Sequence, residues 1–457
     1  MEMIWAAGQG QQWMDHILEQ RRRGCRLLLL AQDPAGTVWG VGRDLGATED
    51  AWWGIDPEGG VVRPSSAGIG EWIHQQEELA HQSVPVRWDP PEHPLRTARG
   101  KGIFRYPLGP VHADVSESLR YDLSVMGDEI VYLALRHGYK PRHIAALCAG
   151  KSVDDALVLV ERMTATSSFS HQWAFAMAVE QARGQRAPEA VRVYRSVAQE
   201  MERLASHLGD LATLASSTGL PVAQMDYLHL KETILRWNFR LFHDRYLRGA
   251  LIRGVLDSAA DAAAGALIAV GEQARSITRE LLHTPSFLDR LVGAGKIPAG
   301  TLDFVRPVGP VGRSAGLGDD VRALWDYGVY DAVSFAVPQW PNADAYSRFM
   351  VRTEEVSSSV NIIRRLLPVA PRTPPIWPAA EFSGPGRGIG VVEAPRGLLA
   401  YAVWLTSDGR QIEKLAVATP SARNWHVVPP AVANNNILQD FPIIDASFLL
   451  SVAGWDQ

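Results

Sequence analysis

The sequence predicts an α+β protein: a small N-terminal α+β domain, followed by a larger domain with a helical-bundle core and peripheral β-strands. Three observations predict this class. Strand-length apolar runs and turn residues occupy the start of the chain. Helical periodicity extends from about 152 to 295, and β-type runs return at 388–416. A chain of 457 residues is long enough for two or three domains.

Composition excludes several classes of protein. The formal net charge of −5 argues against a nucleic-acid partner, which requires a basic face. No apolar run approaches the ~18 residues of a transmembrane helix. The first residues lack the basic and apolar regions of a secretory signal. The two cysteines, Cys25 and Cys148, are too few for a disulfide framework, a cysteine-rich zinc site or a four-thiolate cluster.

The N-terminal domain is predicted to span residues 1–98. The run RLLLLAQ (26–32) reads as a strand, and a DPAG turn leads from it to the strand-like TVWGVG (37–42). The stretch EWIHQQEELAHQ (71–82) has helical character. Residues 84–102 are rich in proline and glycine and read as a linker, so we place the boundary near 98.

The second domain, 99–457, begins with strands and continues with helices. SLRYDLSV (118–125) and EIVYLAL (129–135) alternate around an MGD turn and predict a hairpin. Ser152, with Asp155 three residues later, predicts the N-cap of a helix. A DG dipeptide between β-type runs predicts another hairpin within 388–416. Further helices are predicted over 187–215, 230–249, 257–283 and 345–367.

Four separated stretches carry a family resemblance. They are GPVHADVSESLRYDL (109–123), VERMTATSSFSHQWAFAMAVE (160–180), the helical segments 202–219 and 232–255, and GIGVVEAPRGLL (388–399) with the segment 440–457. Together they resemble the large subunit of membrane-bound, energy-converting nickel–iron hydrogenases, including those of formate hydrogenlyase. They are equally similar to the quinone-site core subunit of respiratory complex I. The resemblance covers about 104–457 and implies a hydrogenase-large-subunit-like domain. Residues 64–96 also resemble the tail of the neighbouring complex I subunit.

The resemblance implies that the nickel–iron ligands are lost. The family holds its metals with two C-x-x-C pairs, because soft thiolates suit these metals. The first pair falls at Thr164 and Ser167, and the second falls at Ser451 and Gly454. Hydroxyls stay protonated near neutral pH and glycine has no side chain, so we expect no metal centre and no hydrogen activation. The carboxylate of the family's R-G-x-E motif is also replaced, by Ala145.

The quinone site of the complex I relatives is only partly kept. In that family, a histidine loop and a tyrosine donate hydrogen bonds to the quinone carbonyls. The resemblance places the loop at His112 and Ser116, the tyrosine position at Ala165, and its neighbouring aspartate at Thr164. Both proton donors are therefore replaced, so quinone binding without the family's usual reduction chemistry stays an alternative.

Several polar residues of the family are retained. Arg396, in E-A-P-R-G, is expected to project into the cavity with Glu393, while Arg162 and His171 are further cavity candidates. A buried guanidinium needs a partner, and Asp445 is one candidate. Each residue also has a structural interpretation: loop packing for His112, a hydrogen-bonded core residue for His171, and an ion pair for Glu393 and Arg396. His207 and Asp210 of the H-L-G-D unit are expected to join helices.

These observations leave two hypotheses open. In the first, the chain is a metal-free component of a membrane-associated complex, coupling a small iron–sulfur subunit to ion-translocating membrane-arm subunits. In the second, it is an oxidoreductase subunit in which Arg396, His112 and Ser116 polarise a bound quinone or other acceptor. The chain itself is expected to hold no cofactor and to lie on the cytoplasmic side. Without a helix-opening G-x-G-x-x-G or a P-loop, no direct nucleotide binding is expected.

Overall fold

The computed structural model describes residues 97–112, 117–253, 256, 259–372 and 384–455, and the backbone of four strands between 25 and 62. Those strands are β1 (Cys25–Gln32), β2 (Val38–Asp44), β3 (Ala51–Ile55) and β4 (Val61–Val62), which pair in that order as an antiparallel sheet. The strands predicted at 26–32 and 37–42 are confirmed. The helix predicted at 71–82 lies outside the described residues, and the domain boundary near 98 stays a prediction.

A second antiparallel sheet begins the larger domain. Its strands are β5 (Ile103–Leu108), β6 (Arg120–Met126) and β7 (Glu129–Arg136), with β6 in the middle. Met126 pairs with Glu129 across the predicted turn, where Gly127 adopts a φ of 66° that favours glycine. Leu123 and Leu133 pair across β6 and β7 and are both buried, so the hairpin prediction is confirmed.

Four long helices form the core of this domain. Helix α4 (Glu189–Ser217) packs on α5 (Pro221–Phe242) and on α12 (Ala345–Leu366), and α7 (Ala260–Leu282) packs on both α5 and α12. Apolar residues recur along α4 every three or four positions, which makes it bury Val197, Met201, Leu204 and Leu208. In order, the helices are α1 (Ile144–Cys148), α2 (Val153–Val160), α3 (Ser168–Ala182), α4 (Glu189–Ser217), α5 (Pro221–Phe242), α6 (Ala250–Arg253), α7 (Ala260–Leu282), α8 (Pro285–Leu291), α9 (Ala299–Val305), α10 (Gly309–Arg313), α11 (Val321–Leu324), α12 (Ala345–Leu366), α13 (Pro420–Asn424), α14 (Val428–Val432) and α15 (Phe441–Phe448).

Two helix predictions have definite outcomes. Ser152 caps α2, because its hydroxyl accepts a hydrogen bond from the backbone N–H of Asp155 at 3.1 Å. The helix predicted to continue to 249 ends at Phe242, so that prediction was wrong at its end. His243 adopts a left-handed φ of 61°, and the Asp244 carboxylate then accepts hydrogen bonds from backbone N–H groups of a turn. This local alternative to helical hydrogen bonding stops α5.

The third sheet packs closely against α3. Its strands are β8 (Gly386–Ala394), β9 (Gly397–Leu405) and β10 (Ile412–Ala418), with β9 in the middle. A Cβ added at Gly390 would lie 1.8 Å from the carbonyl oxygen of Ala174, so glycine is needed for this approach. The predicted DG turn joins β9 to β10, where Gly409 has a φ of 70°. The tight turn between β8 and β9 presents Arg396.

Candidate functional site

Three of the four positions of the family's metal ligands line one cavity, and the fourth, Ser451, lies beside it, where its hydroxyl accepts a hydrogen bond from the Gly454 N–H at 3.2 Å. Thr164 and Ser167 flank the short turn before α3, while Ser451 and Gly454 belong to the turn after α15. About 230 Å³ of empty space, including the open mouth, lies among the cavity residues. The residues lining it are Thr164, Ser167, His171, Ala394, Arg396, Leu399, Thr419, Pro420, Ser421 and Gly454. The two segments therefore meet at this cavity.

Hydrogen bonds between protein groups hold the C-terminal wall of this cavity. The Ser451 backbone N–H donates to the Ser421 hydroxyl at 3.0 Å, and Trp425 Nε1 donates to the Ser451 carbonyl at 3.2 Å. The Glu117 carboxylate accepts from the Ser451 hydroxyl at 3.3 Å and from the backbone N–H groups of Val452 and Ala453. The turn that carries Ser451 and Gly454 is thus held by hydrogen bonds to Ser421, Trp425 and Glu117.

The residues at this cavity do not fit a nickel–iron centre. The four ligand positions offer three hydroxyls and one glycine, and neutral hydroxyls are poor ligands for metals that prefer thiolates. Among the described residues, no group of three His, Cys, Asp or Glu side chains is arranged to hold a metal ion. Cys148 lies on α1 with its Sγ 4.0 Å from the Ala156 carbonyl oxygen, and burial raises the pKa of its thiol to about 12.

Arg396 reaches the cavity and ties its walls together. Its Nε donates to the Leu449 carbonyl, and one terminal nitrogen donates to the Thr166 hydroxyl. The other terminal nitrogen lies 3.6 Å from Asp210 Oδ1. The partner suggested by the sequence, Asp445, was wrong: its carboxylate accepts a 2.8 Å hydrogen bond from the Tyr121 hydroxyl. Burial raises the pKa of Asp445, which favours its protonated form.

Asp210 connects Arg396 to the helical core. Arg352 Nε lies 3.3 Å from Asp210 Oδ2, so two guanidiniums share one carboxylate. Despite burial, these positive charges lower the pKa of Asp210 to about 2. His207, one turn before Asp210 on α4, places its Nε2 2.9 Å from Glu355 on α12. The expectation that His207 and Asp210 join helices thus agrees with their contacts.

The ion pairs continue through the core as one buried network. Arg313 contacts Glu355 and Glu393, each at 2.8 Å, and lies 3.4 Å from Asp320. Arg322 bridges Asp320 and Glu200, and Arg203 continues from Glu200 towards Glu355. Glu393 therefore has the structural role of an ion-pair member that also accepts from the Val321 N–H at 3.1 Å. This network contains five arginines (203, 313, 322, 352 and 396) and five carboxylates (200, 210, 320, 355 and 393).

His171 lines the cavity from α3. Its Nδ1 lies 2.6 Å from the Tyr401 hydroxyl on β9, and that hydroxyl lies 3.6 Å from Met163 Sδ. Burial lowers the pKa of His171 to about 3, so the imidazole is neutral at physiological pH. His171 is therefore a hydrogen-bonded core residue and also a residue of the cavity wall.

Arg162, expected at the cavity, lies outside it. Its guanidinium contacts the Glu161 carboxylate and the Val158 carbonyl, and its side chain is half exposed. The reason is its place in the turn after α2: the chain puts Glu161 and Met163 inward and Arg162 outward. Ala145, at the position of the lost carboxylate, is partly buried on α1 against the core.

The quinone-site positions do not form a donor pair among the described residues. His112 Nε2 contacts the Leu119 carbonyl at 2.7 Å, so this nitrogen is used to close its own loop. Ala165 is exposed on the turn before α3 and offers no hydroxyl. Ser116 lies outside the described residues. Tyr121, edge-on to His112 at 6.1 Å between ring centroids, is bound to Asp445 instead.

Sequence reasoning missed most of the buried network. Arg348, Arg352 and Glu355 lie four and three residues apart on α12, so they share one face of that helix. Charged residues with helical spacing on a face that is also rich in apolar residues would have signalled a buried polar stripe. No comparable signal links Arg313 to Glu355 and Glu393, because these two partners lie 42 and 80 positions away in the chain.

Comparisons with known proteins relate this chain to hydrogenase and respiratory subunits. The family model of the 49 kDa subunit of the respiratory-chain NADH dehydrogenase matches residues 236–388. The chain is 30% identical over 351 residues to the carbon monoxide-induced hydrogenase of Rhodospirillum rubrum, covering 75% of this chain and 96% of that protein. It is 28% identical to formate hydrogenlyase subunit 5 of Escherichia coli, covering 75% of this chain and 61% of that protein.

A respiratory relative and a solved structure extend the comparison. The chain is 26% identical to an NADH-quinone oxidoreductase subunit of Dehalococcoides mccartyi, covering 74% of this chain and 91% of that protein. Its fold matches a chain of the archaeal membrane-bound sulfane sulfur reductase with a TM-score of 0.72 at 21% identity, covering 79% of this chain and 100% of that chain. In the described part of the chain, no helix has the length and apolar character needed to cross a bilayer. The chain belongs to the family that unites the carbon monoxide-induced hydrogenase with the 49 kDa-type subunit of respiratory NADH dehydrogenases.

Proposed function

We propose that this chain is a metal-free, hydrogenase-large-subunit-like component of a membrane-associated, complex I-related respiratory or hydrogenlyase-like complex. It couples a partner iron–sulfur subunit to a membrane arm that translocates ions, and it lies on the cytoplasmic side. The observation that carries this proposal is the cavity lined by three of the ligand positions, with the fourth, Ser451, bonded to Gly454 beside it, and without one sulfur donor among the four. The family relationship supplies the type of assembly.

The buried ion-pair network supports a mechanical role. It connects α4, α12, the 309–322 segment and β8 through charges that are almost completely buried. Because removing one member of such a network leaves an unpaired buried charge, its geometry resists local rearrangement. A domain held this way can transmit a displacement at one docking face to another as a rigid body, which is what a coupling component requires.

Reduction of quinone is the weaker alternative. His112 already uses one ring nitrogen to close its loop, and Ala165 lacks the hydroxyl that would protonate a reduced carbonyl. Among the described residues, acceptor chemistry at this chain would therefore rely on Arg396 rather than on the family's donor pair. We assign first place to the non-redox role for this reason.

The proposal is tested on the complex purified through a tag on this chain. We expect co-purification of an iron–sulfur subunit and membrane proteins, nickel below a tenth of an equivalent by elemental analysis, and no hydrogen oxidation with viologen dyes. The matched control restores sulfur donors with Thr164→Cys, Ser167→Cys, Ser451→Cys and Gly454→Cys. Stoichiometric nickel in the natural chain, or isolation of the chain without partners, overturns the proposal. Reduction of quinone analogues with an intact partner cluster, abolished by Arg396→Gln, selects the alternative.

A further inference from the structure

Helix α5 leaves three large apolar side chains exposed to solvent. Val222, Met225 and Phe239 are 75%, 61% and 57% exposed, whereas the other face of the helix buries residues such as Ile234 and Leu241 in the core. In the described part of the chain, the other three long helices, α4, α7 and α12, expose no large apolar side chain to a comparable extent. Exposed apolar residues therefore distinguish α5 from the helices that it packs against.

These side chains belong to one continuous stripe along the helix. We call exposed stripe the set of exposed or partly exposed residues that follow each other at alternating steps of three and four positions: Val222, Met225, His229, Glu232, Arg236 and Phe239. This heptad spacing keeps side chains in line on one face of a helix, and a second helix packs on such a face. From Val222 to Phe239 the stripe is about 25 Å long, at a rise of about 1.5 Å per residue. Its shape therefore suits a partner helix.

The C-terminal half of this region carries an excess of positive charge. Residues 232–248 contain four arginines and two carboxylates, whereas the whole chain has a net charge of −5. Arg236 and Arg245 share the carboxylate of Glu232, at 2.9 Å and 2.6 Å. Arg240 lies 4.8 Å from the centre of an indole ring of the same helix, and no carboxylate of the described residues forms an ion pair with it. A partner that covers this half is therefore favoured if it is acidic.

The same residues disfavour two other occupants. An amphipathic helix binds a membrane surface through a continuous apolar face, but His229 and Glu232 interrupt this one. A second copy of the chain brings no acidic surface. If two copies of α5 pack in antiparallel orientation with Val222 facing Phe239, Arg236 faces an apolar residue, and the excess charge of both copies stays uncompensated. A helix from a different subunit can supply the missing carboxylates.

We infer that the exposed stripe of α5 docks an amphipathic, acidic helix of another subunit of the complex. That helix presents apolar side chains to the two ends of the stripe, and carboxylates to Arg236 and Arg240. The inference rests on the proposed function, because it assigns a docking surface within that assembly. Helix α5 also packs on α4, which carries Glu200 and Arg203 of the buried ion-pair network. The docked helix is thus separated from the network by α5 alone.

Site-specific photocrosslinking on the purified complex tests this inference. Phe239 is replaced by p-benzoylphenylalanine in the tagged chain, and mass spectrometry identifies the cross-linked peptide. We expect a cross-link to a segment of another subunit that has apolar residues at heptad spacing and carboxylates among them. The control places the same probe at Phe304, which is 65% exposed on α9, and is expected not to reach that segment. A cross-link from position 239 to a second copy or to lipid, or no cross-link, overturns the inference.

A charge exchange tests the same contact without the probe. Arg240→Glu should reduce retention of the cross-linked subunit about 10-fold, and replacing the facing carboxylate of the partner by lysine should restore it. Met225→Asp should reduce retention by about the same factor, whereas the matched control Phe304→Asp should leave it unchanged. Unaltered midpoints of urea unfolding establish that these surface variants are folded. Retention within about twofold of the natural chain in both Arg240→Glu and Met225→Asp overturns the inference.

The outcomes separate this inference from the proposed function. If the complex contains an iron–sulfur subunit and membrane proteins but position 239 links to none of them, the inference falls and the proposed function stands. If the chain is isolated without partners, both fall.

Discussion

Replacing Arg313 should lower the free energy of unfolding more than replacing any surface arginine does. This guanidinium is completely buried and bonds to Glu355 and Glu393 at 2.8 Å and to the Asp319 carbonyl at 3.0 Å. Arg313→Met keeps an unbranched side chain but leaves the carboxylate of Glu393 without this cation. Breaking a buried ion pair from one side costs about 3–5 kcal/mol. That is a large part of a typical unfolding free energy of about 5–15 kcal/mol.

The measurement is urea unfolding followed by tryptophan fluorescence, with Arg186→Met as control. Arg186 pairs with Asp326 at 2.8 Å, but both side chains are 63% exposed. Screening by solvent limits such a pair to about 0–1 kcal/mol. If the free energy of unfolding lost by Arg313→Met lies within about 1 kcal/mol of that lost by Arg186→Met, the view that the network stabilises the domain as a unit is refuted.

The charge left behind makes this loss depend on pH. Burial and the neighbouring Asp320 already raise the pKa of Glu393, and Arg313 opposes that rise. Without Arg313, the folded state should hold the Glu393 proton to higher pH than the unfolded state does. Stability then falls as pH rises through the folded-state pKa, so the variant should be less stable at pH 8 than at pH 6. Adding Glu393→Gln should recover part of the loss and flatten this dependence.

Three further predictions concern stability elsewhere. Burial raises the pKa of Glu202 to about 7, so the folded state binds its proton more tightly than the unfolded state does. The contribution of Glu202 to the free energy of unfolding should therefore fall by about 2 kcal/mol from pH 5 to pH 8. In Glu202→Gln the melting temperature should vary less with pH over that range. Gly390→Ala should prevent β8 from packing on α3, which would be measured as a loss of soluble protein. Gly265→Ala is the control: the added Cβ meets open space, so this change should stabilise α7 by about 0.5–1 kcal/mol. Ser152→Ala should cost about 1 kcal/mol in urea unfolding through the lost cap, and an unchanged midpoint would contradict that role.

Local chemistry made much of the fold predictable from sequence. The Ser152 cap and the Asp408–Gly409 turn depend on residues within a few positions of each other, and both are present. The end of α5 was missed because His243, a residue without an obvious breaking tendency, adopts the left-handed conformation there. The side chain of Asp244 then satisfies the turn, a detail that helical periodicity does not encode.

The site was predictable only in part. Family motifs indicated which residues approach the cavity, and Thr164, Ser167, His171, Arg396 and Gly454 line it. The motifs did not indicate the ion-pair partner of each side chain, because that partner depends on which residues the folded chain brings together. Arg396 finds Asp210, 186 positions earlier in the chain, and the sequence offered no reason to prefer it to Asp445.

The two walls of the cavity come from opposite ends of the larger domain. Thr164 and Ser451 are separated by 287 positions in the sequence. The cavity can therefore close only after the polypeptide has been synthesised beyond Ser451. Because Ser421, Trp425 and Glu117 supply the contacts that hold that turn, the newly made polypeptide can shut this space with its own groups, without waiting for delivery of an inorganic cofactor.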